Sequence, residues 1–126
     1  MMLNPKLLKP KTLYEGETIT TAQLSESALN FEEIIIEWTA KQYTNFWKCD
    51  TTTIINPENK SYNKSNVYFD SSNRLYTINV IYTVNNDVIT INNNHAGMTH
   101  PDTAYGANGG CWAITKVIGI NKKITN

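Results

Sequence analysis

Residue types that do chemistry gather at one place in this 126-residue chain, the stretch HAGMTHPDTAYG that runs from His95 to Gly106. His95, His100 and Asp102 are of the types that ligate metals. Their spacing fits no zincin or comparable pattern, and histidines on a loop hold no fixed ligand geometry. The stretch therefore reads as a solvated or interface loop, with no metal and no cofactor. Paired carboxylates for glycoside hydrolysis must face each other across a cleft at roughly 5 to 10 Å. Glu33 and Glu37 instead share one face of a strand about 13 Å apart, and Glu32 points the other way. Such charges suit an exposed strand edge, where they discourage pairing with other chains.

Nucleophiles fare no better. No serine sits in a GxSxG elbow, and neither Cys49 nor Cys111 has a histidine at a recognised spacing. GANGG at 106–110 precedes a strand rather than a helix, so it forms no phosphate-binding loop. The catalytic set is empty, and an enzyme is not expected. Without a CxxC pair a structural zinc site is not expected, and the two cysteines read as reduced, part-buried thiols. Whether they pair stays open, because a disulfide needs neighbouring strands. Among the aromatics, Trp47, Tyr105 and Trp112 are candidates for stacking on a sugar ring. Trp38 and Trp112 lie in apolar strands and read as core, whereas Tyr105, between Ala104 and Gly106, reads as surface.

The elements that must position these residues are strands. FEEIIIEWTA alternates, with Ile34, Ile36 and Trp38 on one face and Glu33, Ile35 and Glu37 on the other. A helix drawn from Ser25 to Gln42 is disfavoured by three consecutive isoleucines followed by Trp and Thr. TLYEGETITTAQLSES gives two short strands around Gly16, and YTNFWKCD gives another, which TTTIIN continues or pairs beside before Pro57 stops it. PENKSYNKSN reads as a polar loop, followed by the short strand VYFD. RLYTINVIYTV is a long strand with Tyr76, Ile78, Val80, Tyr82 and Val84 facing one way; Leu75 and Ile81 interrupt its polar face. NND turns tightly into VITIN. Residues 93–110 read as one long irregular loop, and WAITKVIGI closes the chain as a strand.

The expectation is an all-β fold, an antiparallel, jelly-roll-like β-sandwich of seven or eight short strands spanning residues 12–126. Ahead of it, Pro5 and Pro10 break any helix, so residues 1–11 read as an extended arm whose Leu3, Leu7 and Leu8 need a partner surface. Charged residues are 17% of the chain and the formal net charge is zero. No basic patch marks a nucleic-acid partner, and the longest aliphatic run, Ile34-Ile35-Ile36, is far below the roughly 20 residues of a membrane span. The start MMLNPKLLKPK lacks the apolar stretch of a signal peptide, which points to synthesis in a cytoplasm.

Four stretches carry a resemblance. TLYEGETITTAQLSESALNFEEIIIEW, joined to a terminal CWAITKVIGI, resembles a recurrent module of bacteriophage tail, baseplate and fibre proteins. In that module a TLY-G strand leads to ITLSES, then NFD-IEI-Y, and the domain ends on I-ITKVIGYK. Thr12-Leu13-Tyr14, Leu24-Ser25-Glu26-Ser27, Asn30-Phe31-Glu32 and Ile114 to Gly119 match those points in order, whereas Cys49 to Asn94 match only in strand pattern. The resemblance implies a virion β-sandwich, usually trimeric, that builds the host-contact apparatus or binds a surface glycan, and it transfers no catalytic residue. The expected partners are other virion proteins through the arm, further copies of the chain, and a host-surface saccharide at His95, His100, Asp102 and Tyr105.

Overall fold

Alternation along FEEIIIEW sets the architecture: Ile34, Ile36 and Trp38 are fully buried while Glu33, Ile35 and Glu37 between them are half-buried on the opposite face. The structure, a computed structural model, describes residues 9–42, 46–69, 75–99, 104–108 and 112–124, with side chains for 9–39, 49–65, 79–93 and 112–124. In chain order the strands are β1 Pro10–Thr18, β2 Thr21–Gln23, β3 Phe31–Gln42, β4 Phe46–Ile55, β5 Lys60–Phe69, β6 Leu75–Asn85, β7 Val88–Thr99, β8 Ala104–Asn108 and β9 Trp112–Lys122. The one helical turn among the described residues, Ala28–Asn30, is capped by Ser27, whose Oγ accepts from the Leu29 amide.

All pairings are antiparallel. One sheet has the order β1-β9-β3-β4, the other β2-β7-β6-β5, and β8 adds to the second by pairing with β7 off that path. The inner faces meet in one core, to which the first sheet gives Leu13, Ile34, Ile36, Trp38, Ile54, Trp112, Ile114 and Val117. The second sheet gives Ala22, Val80, Tyr82, Val84 and Ile89. The expected all-β antiparallel sandwich is therefore present. At its centre Trp38 meets Tyr82 edge-on at 5.2 Å and Trp112 at 6.5 Å, and Tyr62 stacks on Tyr82 at 5.6 Å. Edge-on and offset rings are the favoured arrangements of these quadrupoles. Desolvation in this core, followed by the charge of neighbouring Tyr62, pushes the Tyr82 hydroxyl well above the ordinary tyrosine range.

Several expectations need correction. The strand around Gly16 does not break there. β1 runs on to Thr18, and the break falls at Ile19–Thr20, where Thr18 Oγ1 accepts from the Thr20 and Thr21 amides at 3.1 Å each. PENKSYNKSN is not a polar loop beyond Asn59, because Lys60 begins the strand that runs to Phe69. The inward positions there hold Tyr62 and Lys64, so a lysine stands where an apolar residue would have revealed the alternation. Residues 93–110 are not one irregular loop either: β7 continues to Thr99, and Ala104–Asn108 folds back on it. Pro10 and Lys11, assigned to the arm, belong to β1 opposite Ile120 and Gly119. β3 is flanked by β9 and β4, so Glu33 and Glu37 lie on the outer face of an interior strand rather than on an edge. YTNFWKCD and TTTIIN are one strand from Phe46 to Ile55, and the NND hairpin holds, with Asn86 at φ 54°.

Gly119 shows how tightly β9 is built in. A Cβ there would lie 2.6 to 2.7 Å from three carbons of the buried Phe31 ring. Gly119→Ala should cost about 1–3 kcal/mol through overpacking. Urea unfolding checks this, and Phe31→Leu in the same background should recover part of the loss. Additive costs for the two substitutions would show that the ring and the glycine do not meet.

Candidate functional site

Two groups of charged side chains among those described lie where one sheet must be held to the other. The first is inside the open side between β4 and β5. Asp50 stands opposite Trp38 in the β3–β4 ladder and Lys64 opposite Val80 in the β5–β6 ladder, so both take inward positions on edge strands of different sheets. Their side chains form an ion pair across the sandwich, with Lys64 6% and Asp50 35% exposed. The Lys64 ammonium lies 4.6 Å from the ring centroid of Trp112 and 6.0 Å from that of Trp38. Those rings supply a negative face to a cation that has lost most of its water. Trp38 Nε1 donates to Thr52 Oγ1 at 2.9 Å, fixing the ring under the lysine. Inward-pointing charges of this kind protect sheet edges from pairing with another chain.

On β3, β4 and β9 of the first sheet, a groove of about 410 Å³ is lined by Glu37, Thr39, Cys49, Asp50, Thr51 and Thr115 among others. Cys49 is exposed rather than part-buried, and it is a free thiol. The groove offers hydroxyls, the Glu37 carboxylate and this thiol, the Asp50 carboxylate being turned inward to Lys64; no imidazole lines it among the described residues. Nucleophilic catalysis needs a base within hydrogen-bond reach of the nucleophile, and the described lining supplies no such pair. No cluster of three or more metal-ligating side chains occurs among the described residues.

The second charged place is Glu26, in the connection between β2 and β3. Its carboxylate, 14% exposed, pairs with Lys11 of β1 and, at 2.8 Å, with Lys122 of β9, and it accepts from Asn30 Nδ2 at 3.3 Å. The Lys11 hydrogen bond, then those of Lys122 and Asn30, pull the carboxyl down from an ordinary 4.5 to about 2. Around it the backbone is equally tied. Leu24 N donates to Asp87 O, Ser25 N to Leu13 O, Ala28 N to Asn86 O and Lys123 N to Asn30 O. One short connection therefore touches β1, the end of β9 and the β6–β7 turn of the opposite sheet.

The residues expected to form a contact surface fall differently. His95 is in β7, opposite Asn79 of β6 and Asn108 of β8, and Tyr105 is in β8 opposite Met98. They occupy a hairpin that extends the sheet. His100 and Asp102 lie outside the described residues, as do Leu3, Leu7, Leu8 and Cys111. Trp38 and Trp112 are core, as expected, while the Trp47 side chain lies outside the described set. Sequence reasoning missed Lys64, Asp50 and Glu26. The available signal was parity: Asp50, Thr52 and Ile54 alternate, so Asp50 takes a core-facing position. No protein-family model and no curated protein matches this chain.

The Glu26 carboxylate binds protons less readily folded than unfolded, so its stabilisation is complete above pH 4.5 and lost as pH falls towards 2. Thermal midpoints measured across that window should fall more steeply in the parent than in Glu26→Gln, the two proteins converging near pH 2. Parallel curves would mean that the lysines do not hold this carboxylate. Because Lys11 and Lys122 are more than half exposed, raised salt should shrink the difference.

Proposed function

We propose that this chain is a non-enzymatic structural or accessory protein of a bacteriophage virion, a tail, baseplate, fibre or capsid-decorating subunit. One observation supports the reading above all. The four stretches that resemble the phage module are far apart in sequence and meet in space. Thr12 and Tyr14 stand opposite Ile118 and Val117 in the β1–β9 ladder, and Glu26 of LSES pairs with Lys11 and Lys122 beside them. Phe31 covers Gly119, and Asn30 O accepts from Lys123 N. Motifs that contact one another are under one structural constraint, which is why they would travel together through a family of sandwiches. Their role here is architectural, and none of them presents a group to a substrate.

The finer parts of the proposal follow from the resemblance. A jelly-roll-like topology is part of the proposal, and the chain's crossings between sheets after β1, β2, β4 and β8 support it. The subunit is made in the host cytoplasm, assembles as a homotrimer, and is anchored by its N-terminal residues, with Leu3, Leu7 and Leu8 against another virion protein. Since Lys9 is already hydrogen-bonded to Asn121 and Pro10 stands opposite Ile120 in β1, the anchoring segment is residues 1–8.

Deleting residues 1–8 should leave the thermal midpoint unchanged and abolish incorporation into particles, measured by mass spectrometry of purified virions. A truncated protein that does not fold would place the segment in the core. Absence of the parent chain from virions would overturn the proposal. Adsorption of the isolated domain to host cells, lost on Asp102→Ala with Tyr105→Ala, would favour receptor recognition through residues 93–110.

A further inference from the structure

The Asp50–Lys64 pair meets conditions that the Glu26 pairs do not. Lys11 and Lys122 are more than half exposed and share one carboxylate, so each stays hydrated. Lys64 is almost wholly buried on β5, and its Nζ contacts Oδ2 of Asp50 on β4. The Trp112 and Trp38 rings lie over the ammonium, and Thr52 holds the Trp38 ring in place. Both backbones are fixed in ladders, Asp50 opposite Trp38 and Lys64 opposite Val80, so amine and carboxyl are kept together.

We propose that this ion pair is the reactant state of a covalent cross-link, an amide between Lys64 Nζ and Asp50 Cγ that joins the two sheets. The step balances without a further reactant. A proton passes from the ammonium to the carboxylate, leaving a neutral amine and a neutral acid. The nitrogen lone pair attacks Cγ, and the Nζ–Cγ bond forms. A proton then moves from nitrogen to one oxygen of the former carboxyl, the Cγ–O bond breaks, and water departs with that oxygen. Nothing is oxidised or reduced. Asp50 also lines the groove on the first sheet, which gives the water a way out.

Two effects drive the condensation. Burying two ions is costly, and the product amide carries no net charge, so the reaction removes that cost. Placement on opposed strands makes the encounter intramolecular, equivalent for well-oriented groups to concentrations of roughly 10⁵ M or more. In dilute solution amine and acid stay apart because water is abundant and they are not. Beside the Trp rings both conditions are reversed. The amide closes the crossover from β4 to β5 on itself and ties the open side, where these two edge strands share no ladder. The inference concerns the chemistry of the chain alone and is independent of residence in a virion.

Intact-mass spectrometry of the purified full chain, repeated until the mass is constant, tests it. Apart from any removal of Met1, the parent should settle one water lighter than its sequence mass. Proteolysis should then release a branched peptide that joins Asp50 to Lys64. Lys64→Arg, which keeps the charge but has no primary amine, should retain the full mass, and so should Asp50→Ala. The branched peptide decides the matter in the parent even where a variant fails to fold. A parent at full sequence mass would overturn the proposal. So would a dehydrated parent that yields only linear peptides, its water lost at a succinimide, or an equal loss from folded Lys64→Arg.

Discussion

The connection from Leu24 to Asn30 imposes the constraint on which the rest of the sandwich depends. Two apolar sheet faces attract each other without direction, so burial alone does not fix how one sheet sits on the other. Directional bonds must do that, and here they are concentrated in one segment. Its amides reach the β6–β7 turn of one sheet through Leu24 and Ala28, and β1 of the other through Ser25. Its carbonyl at Asn30 receives the Lys123 amide that ends β9, and its one acid, Glu26, draws in Lys11 and Lys122. Phe31, the next residue, fills the space left by the missing Cβ of Gly119.

At the other side of the sandwich the problem is different. β4 and β5 are both edge strands, and their sheets are open between them. The Asp50–Lys64 pair spans that opening and lies over the Trp38 and Trp112 rings. An ion pair this buried returns little net stability, because desolvating both partners offsets most of their attraction. Its contribution is positional: a slip of one residue in β5 would turn Lys64 outward and leave Asp50 facing the rings alone. One side is thus fastened by backbone bonds and screened surface pairs, the other by a desolvated charge pair, with the aromatic cluster between.

Much of this was legible in the sequence, and what was not shares a cause. Alternating Ile34, Ile36 and Trp38 placed β3 and its inner face, and Asn86 in NND placed the β6–β7 hairpin. Periodicity failed wherever a polar residue took an inward or regular position. Lys64 hid β5, and asparagine, histidine and glycine along NNNHAGMT hid the second half of β7, since their low strand preference suggested a loop. Interior position is also invisible to local pattern. Glu33 and Glu37 look like edge protection, yet β9, some eighty residues later, pairs with their strand.

Native-state hydrogen exchange addresses the central claim, that the Leu24–Asn30 connection holds the two sheets in register. The amides of Leu24, Ser25, Ala28 and Lys123 donate the bonds in question. If the claim is right, they exchange only through global unfolding, with the same free energy as the amides of Ile36 and Val117 in the core strands. If they exchange through a local opening several kcal/mol below that limit while β3 and β9 stay protected, the connection is a surface loop and the account is contradicted.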